Sequence, residues 1–190
     1  MKKYFILFPL AGLLTTASAQ TQPSQDEMMK KWTDYMTPGA MHKMLESFNG
    51  KWDGDITMWM SPDAPSKSKG TCINTMILGG RYQESTSIGD FGGMPFEGRS
   101  LVAYDNIKKV FISTWIDNMG TGVMHLEGPY DPKTKTITLR GKMVEPMSGT
   151  DIDVRETLKI IDDKHQVLEM YNTPPKGKET KSMEIKYTRM

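Results

Sequence analysis

The sequence predicts an all-β fold, an antiparallel up-and-down β-barrel of about ten strands that follows short N-terminal helices. From Gly50 onward, apolar and polar residues alternate, which is typical of strands with one buried face. Turn residues separate these segments at regular intervals, with no helical stretch between them. Trp52 on the first strand and Arg189 on the last suggest a sheet that closes on itself and has no free edges.

Residues 1–19 are predicted to be a cleaved export signal. Lys2 and Lys3 form a positively charged N-terminal region, and an apolar run follows over residues 4–14. Ala17-Ser-Ala19 supplies the small residues of a cleavage site. The apolar run is shorter than the roughly 20 residues that a membrane-spanning helix needs. We therefore expect a mature chain that begins at Gln20, is periplasmic or secreted, and does not span a membrane.

The composition indicates one nearly neutral domain. The 190 residues carry a formal net charge of +1, and two of the lysines lie in the expected export signal. Nucleic-acid partners are excluded on this ground, because such proteins carry a basic stripe. Cys72 is the only cysteine and so has no intramolecular disulfide partner. Its position between Thr71 and Ile73 predicts a buried, inert thiol on a strand.

Residues 20–48 are expected to form a polar segment and two short helices. The apolar residues of the first helix fall on one side, and Pro38-Gly39 ends it. These residues are Met28, Met29, Trp32, Tyr35 and Met36. Met41, Met44, Leu45 and Phe48 fall on one face of the second helix. Because the strand at 109–117 is apolar on both faces, we expect the helices to cover the outside of the barrel.

The barrel is expected over residues 49–190. Its first strand places Trp52, Ile56, Met58 and Met60 on one face, and residues 61–69, which contain two prolines, are predicted to be a loop. Nine further strands are predicted at 70–78, 81–88, 96–104, 109–117, 122–128, 136–144, 152–161, 166–171 and 181–189. Ten strands enclose more space than the eight whose side chains can just fill the interior. The interior is therefore expected to hold a ligand.

The order of short motifs along residues 40–190 resembles a bacterial family, domain of unknown function 1579. The motifs include Gly50-Lys-Trp-Asp-Gly54, Leu78-Gly-Gly-Arg-Tyr82, Ala103-Tyr-Asp-Asn106, Thr114-Trp-Ile-Asp117 and Glu184-Ile-Lys-Tyr-Thr-Arg189. The resemblance implies an exported, lipocalin-like (calycin) barrel and implies no reaction. Gly-x-Trp-x-Gly is also similar to the first-strand signature of lipocalins and of haem-binding nitrobindin-like barrels. In those folds the tryptophan packs beside an arginine of the last strand.

Four residues are predicted to close one end of the barrel. Arg189 shares strand parity with Tyr187, so it should point inward, where its guanidinium can stack on Trp52 and donate to backbone carbonyls. Gly50 and Gly54 flank Trp52, and we assign them to backbone approach and bending. A structural role is favoured over ligand contact for all four.

The candidate cavity lining is mostly aromatic and apolar: Trp52, Ile56, Met58, Tyr82, Tyr104, Trp115 and Tyr187. Such residues give an apolar wall with a few polar tips, the usual composition of a ligand pocket. The sequence therefore predicts a protein that binds a small hydrophobic or amphipathic molecule without catalysis and without a resident cofactor.

Metal and haem sites are the weaker interpretations. His42, His125 and His165 lie in a helix, a strand and a turn, and none pairs with another at metal-ligand spacing. His125 could line the interior as a lone haem ligand, although a surface histidine is the simpler interpretation. Met58-Trp-Met60 resembles the spaced thioethers of Cu(I) sites, but its parity with Trp52 favours a core or cavity position.

The carboxylates do not form an evident acid–base pair. Asp105 is expected to form a turn, Asp117 to brace one, and Arg155 to pair across strands with Glu169. Glu156 is given a structural role in the same region. Two alternatives to ligand binding remain: a hydrolase or isomerase, which requires an inward Asp, Glu or His, and a filled barrel that acts as an envelope interaction module.

Overall fold

The computed structural model describes residues 24–59 and 64–190, which form a closed antiparallel barrel with two preceding helices. This confirms the predicted fold class. The expected export signal and Met60 lie outside the described residues. Neither helix within the described residues has the length and apolar character needed to cross a membrane.

The helices are α1 (Gln25–Met36) and α2 (Ala40–Glu46). The strands are β1 (Gly50–Trp59), β2 (Pro65–Ile77), β3 (Tyr82–Phe91), β4 (Met94–Asp105), β5 (Val110–Asp117), β6 (Met124–Gly128), β7 (Tyr130–Asp131), β8 (Thr136–Glu145), β9 (Thr150–Ile160), β10 (His165–Thr173) and β11 (Thr180–Arg189). The short β7 continues β6 beyond Pro129, because both pair with β8. The wall therefore has ten strands, as predicted.

The ring closes through two pairings that join non-consecutive strands. β1 pairs with β11, which sets Trp52 opposite Arg189, and β6 pairs with β8. At the β6–β8 seam the backbones approach so closely that only glycine fits. A Cβ at Gly141 would lie 2.1 Å from the His125 carbonyl oxygen, and one at Gly128 would lie 2.0 Å from that of Thr138.

Helix α2 closes one end of the barrel. Leu45 and Phe48 join the buried core, and the carbonyls at the end of the helix are bound by side chains from inside the barrel. The Gln83 amide donates to the Leu45 carbonyl at 2.6 Å, and the Trp52 indole N–H donates to the Phe48 carbonyl at 2.8 Å. These bonds satisfy the free carbonyls of the helix C-terminus.

Helix α1 does not cover the barrel, so that expectation is wrong. A capping box of Ser24 and Glu27 starts the helix, but it buries no side chain, and Trp32 is 60% exposed. The side-chain amide of Asn106, in the β4–β5 turn, donates hydrogen bonds to the backbone carbonyls of residues 34, 35 and 37. These bonds hold the C-terminal end of α1. This turn lies at the end of the barrel, so α1 projects from that end. The outward side chain of Ile116 stays 48% exposed.

Strand β2 is longer than predicted. It begins at Pro65, which pairs with Trp59, although residues 61–69 were predicted to form a loop. Proline is tolerated at the first position of a strand, where its missing N–H removes no necessary bond of the ladder.

Candidate functional site

The interior of the barrel has a packed half and an open half. The core that includes Leu45 and Phe48 of the α2 end contains fully buried inward side chains, as in Trp52 at 1%, Phe111 at 0% and Leu126 at 1% exposure. Toward the other end, inward residues such as Ile56 and Met58 stay partly accessible although the wall surrounds them. The space that they border is the candidate site.

One wall of the open half carries small side chains. The inward positions of β3 and β4 include Ser85, Ser87, Gly98 and Ser100, which occupy little of the interior. The ring of Trp115 lies directly across Gly98, because a Cβ there would be 2.3 Å from it. Trp115 also stacks on Phe96, with ring centroids 6.3 Å apart. This wall therefore combines small side chains with one aromatic pair.

The facing wall carries a row that we name the Met–Glu row: Met58, Met183, Met170 and Glu156. These residues lie opposite one another in register on β1, β11, β10 and β9. Each is partly accessible. Methionine side chains are flexible and polarizable, so this wall can adapt to irregular apolar surfaces.

Glu156 is the polar member of the row and has no partner. Within residues 24–59 and 64–190, no hydrogen bond or ion pair reaches its carboxyl group, and Leu139 and Met170 flank it in register. Protein surrounds the group, and this desolvation raises the pKa of Glu156 to about 7. A carboxyl group that titrates near neutrality thus points into an apolar chamber.

Asn172 adds a second unsatisfied acceptor. It lies two residues beyond Met170 on the same inward face, opposite the buried Val154. Its Oδ1 atom is buried and has no hydrogen-bond partner in the described part of the chain. Buried polar atoms in native proteins are normally paired, so an orphan acceptor requires an explanation.

Tyr187 and Cys72 are two further inward titratable groups; Cys72 is part of the buried core around Trp52, and Tyr187 packs against that core. The Tyr187 ring packs over Gly54, where a Cβ would lie 3.4 Å from the ring. Burial is the main cause that raises the pKa of Tyr187, and it raises the pKa of the Cys72 thiol as well. Cys72 is 8% exposed, which confirms the prediction of a buried thiol. Both groups are therefore neutral at physiological pH.

The predicted lining residues divide among three locations. Ile56, Met58 and Trp115 face the interior beside the open half. Trp52, Tyr104 and Tyr187 belong to or pack against the buried core of the packed half.

Tyr82 faces outward, so the prediction that it lines the cavity is wrong. It pairs with Ala103, while its neighbour Gln83 is the buried, inward residue. Leu78 and Gly79 have positive φ in the β2–β3 turn, and this turn sets the parity of β3.

Three of the four predicted closure residues, Gly50, Trp52 and Arg189, meet at the packed end, and Gly54 lies beside Ile185 and Tyr187 instead. The Arg189 guanidinium lies 4.4 Å above the Trp52 ring and donates to the carbonyls of Asn49 at 2.8 Å, Asp163 at 3.0 Å and Ser47. Gly50 has a φ of 111°, which favours glycine, and it lies beside the guanidinium. This arrangement joins the first and last strands at the end that α2 closes.

The histidines do not support an interior haem site. His125 lies on the outward, exposed face of β6, next to the inward Leu126, so the expectation that it lines the interior is wrong. His42 is the buried histidine, but its Nδ1 accepts the Gly39 N–H at 3.0 Å as a helix cap. Desolvation, with a smaller contribution from Arg81, lowers the pKa of His42. Among the described residues, no group of three His, Cys, Asp or Glu side chains could hold a metal ion.

The outer wall carries ion pairs rather than a site. Arg155 pairs with Glu179 at 2.6 Å and stacks on Tyr171, so the predicted pair with Glu169 is wrong. Glu169 accepts from Lys181 at 2.6 Å instead. The register explains the difference, since it sets Arg155 opposite Tyr171. Two outer clefts, of about 460 and 530 Å³, are lined mainly by charged and polar residues and do not suit an apolar ligand.

Glu156 and Asn172 were not predicted as lining residues. Strand parity could have placed Glu156 on the inward face, because Glu156 alternates with Arg155 and shares the inward positions of Val154 and Leu158. Charged residues on both faces of β9 obscured that alternation.

Comparisons with known proteins identify the family of the chain, and one solved structure shares its fold. The sequence model of a family described as "Protein of unknown function (DUF1579)" matches residues 37–189. The crystal structure of Rv2717c from M. tuberculosis is similar, with a TM-score of 0.60 and 11% identity over 81% of this chain and 99% of that chain. A redesigned β-barrel has a TM-score of 0.42 and 13% identity over 80% of this chain and 99% of its own. No curated protein matches.

Proposed function

Since the chain belongs to the DUF1579 family of proteins of unknown function, we propose its function from the barrel itself. The protein binds a small hydrophobic or amphipathic molecule in the open half of the interior. It does so without catalysis, and it acts outside the cytoplasm.

One observation carries the binding proposal: inward residues of the open half remain partly accessible inside a closed barrel. Side chains of a filled barrel would bury one another, as those of the packed half do. The partly accessible surface is mainly thioether, aromatic and aliphatic, and each Å² of apolar ligand surface buried against it contributes roughly 25 cal/mol. Such a wall selects for apolar bulk and tolerates variation in its shape.

The proposal of export depends on the sequence. A positive start, a short apolar run and Ala17-Ser-Ala19 are the usual parts of a cleaved signal. Detection of Gln20 as the N-terminus of protein recovered from the periplasm would support it. A protein that stays in the cytoplasm with residues 1–19 attached would contradict it.

A fluorescent apolar probe tests binding directly. N-phenyl-1-naphthylamine should bind the full protein with enhanced emission, and a long-chain alcohol should displace it. Ser87→Phe places a ring inside the open half, whereas Thr86→Phe places the same ring on the outer face one residue away. We expect Ser87→Phe to weaken probe binding by about tenfold and Thr86→Phe to leave it unchanged. Equal binding by both variants, or no binding by the wild type, would contradict the proposal.

Proton-transfer catalysis, as in an isomerase, is a second candidate that one observation favours. That mechanism requires an inward acid or base whose pKa lies near the working pH, and Glu156 has a pKa raised to about 7. Exchange of a substrate C–H hydrogen with deuterated solvent, catalysed by the wild type and abolished in Glu156→Gln, would establish it. If apolar molecules bind but no hydrogen exchange occurs at any pH, the catalytic candidate is wrong and the binding function stands.

A further inference from the structure

We propose that Glu156 and Asn172 form the polar end of the ligand site and select an apolar molecule that carries a protonated amine. This inference rests on the proposed binding function and specifies its ligand class. The amine supplies the hydrogen-bond donors and the positive charge that these two groups do not receive from the described residues.

The register brings the two acceptors together. Glu156 lies opposite Met170, and Asn172 lies opposite Val154, on the adjacent strands β9 and β10. The two residues are therefore diagonal neighbours on one inward face. The Cα atoms of such neighbours lie about 7–8 Å apart. One small head group placed between them can contact both.

Both groups need donors. An ionised carboxylate only accepts hydrogen bonds, and the Asn172 Oδ1 atom is a buried acceptor without a partner. An ammonium group has three N–H donors and no acceptor, so it can satisfy both oxygen sites at once. A carboxylate head group would instead add a third acceptor and a repulsive charge.

Among the described residues, no inward cation lies near Glu156. On the described inward faces, Asp117 and Glu145 lie at the open mouth, and Arg189 lies at the packed end, where carbonyls bind it. Tyr104, Tyr187 and Cys72 are the other inward titratable groups, and β8 and β10 place Leu139 and Met170 against the carboxyl. The lysines and arginines of β9 and its neighbours face outward. His42 is part of the α2 end and caps its own helix.

The Met–Glu row fits the remainder of such a ligand. Met170, Met183 and Met58 extend from Glu156 across three strands and form an apolar track for an alkyl chain. An amine with an aliphatic tail thus meets a carboxyl at one end of the row and thioethers along the rest.

The pH dependence of binding follows from the same geometry. Because burial raises the pKa of Glu156 to about 7, the group is mostly protonated at pH 5.5 and ionised at pH 8.5. An alkylamine, with a pKa near that of lysine at about 10.4, stays protonated at both values. Amine affinity should therefore rise with pH, while the affinity for an uncharged alcohol should not change.

Displacement of N-phenyl-1-naphthylamine by three ligands with the same decyl chain tests the inference. Decylamine, decanol and decanoate would be titrated against the full protein at pH 5.5 and 8.5, below their micelle concentrations. At pH 8.5 we expect decylamine to bind about tenfold more tightly than decanol, and decanoate to bind most weakly. At pH 5.5 the advantage of the amine should shrink to about threefold or less.

Two variants identify the groups responsible. Glu156→Gln has the same shape without the charge and should abolish the preference for the amine while leaving decanol binding intact. Asn172→Asp adds a second carboxylate and should increase the preference, which keeps the test valid if Glu156→Gln does not fold. Glu169→Gln changes an outward carboxyl that Lys181 pairs with, so it should leave all three affinities unchanged.

The results separate the inference from the function on which it rests. If decanol displaces the probe but the amine has no advantage, or keeps its advantage in Glu156→Gln, the inference is wrong and the binding function stands. If neither the probe nor decanol binds the wild type, the binding function itself is wrong. A preference for the amine that depends on Glu156 and grows with pH supports both.

Discussion

Replacing Glu156 with glutamine should remove a pH-dependent loss of stability. Burial raises the pKa of this group from 4.5 to about 7 in the folded protein. Since the folded-state value lies above the unfolded one, the folded state holds the proton more tightly. This contribution to stability is fully present below pH 4.5 and is lost as the pH rises through 7. The shift corresponds to about 3 kcal/mol in total, and most of it is lost between pH 5 and 8.

The assay is urea unfolding of both proteins at intervals from pH 5 to 8.5. Glutamine has the same shape and does not titrate, so the free energy of unfolding of the variant should rise by about 2–3 kcal/mol relative to that of the wild type across this range. Glu169→Gln is the matched control. Lys181 lowers the pKa of Glu169, so that group contributes no pH dependence between 6 and 8. If the difference between wild type and Glu156→Gln stays constant with pH, the carboxyl group is hydrated or paired and our reasoning fails.

Four further outcomes are expected. Gly141→Ala should destabilise the protein by about 2–3 kcal/mol, because its Cβ would lie 2.1 Å from the His125 carbonyl oxygen. The control Gly122→Ala adds a Cβ in open space and should change the stability by no more than about 0.5 kcal/mol. Equal stabilities of the two variants would refute the close approach of the backbones at the β6–β8 seam. Arg189→Met should cost about 2–3 kcal/mol in urea unfolding, because it removes the guanidinium from Trp52 and from three carbonyls, while Lys159→Met should cost little. The Cys72 thiol should resist Ellman's reagent at pH 8 until urea unfolds the chain, since it is buried and burial raises its pKa; rapid labelling of the folded protein would contradict this. Removal of residues 24–36 should lower Tm by less than about 2 °C, because α1 buries no side chain, and a larger fall would mean that α1 packs on the wall.

Strand parity allowed much of the fold to be predicted. The alternation through Trp52, Ile56 and Met58 set the inward face of β1, and that of Tyr187 and Arg189 set the inward face of β11. Because the side-chain period of a strand is two, each anchor residue determines the face of its whole strand. The number of strands and their up-and-down order followed from the spacing of the turns.

The remaining features depend on contacts between distant residues. The parity of Tyr82 is set by a turn whose φ angles the sequence does not reveal, and the position of α1 depends on Asn106, in a turn about seventy residues away in the sequence. Glu156 was hidden because Arg155 beside it is also charged, so local alternation could not show which of them faces inward. Only the pairing with Leu139 and Met170 resolves this.

The pairing of β1 with β11 determines when the barrel can close during synthesis of the chain. Arg189 donates to carbonyls 140 and 142 residues earlier in the chain, and every hydrogen bond of that closing pair waits for residues 180–189. On the ribosome, where chains grow at about 5–20 residues per second, β1 therefore has only β2 as a partner while most of the barrel is still being made. The ring can be completed only after Arg189 has emerged, so the nascent chain has no closed barrel before that point.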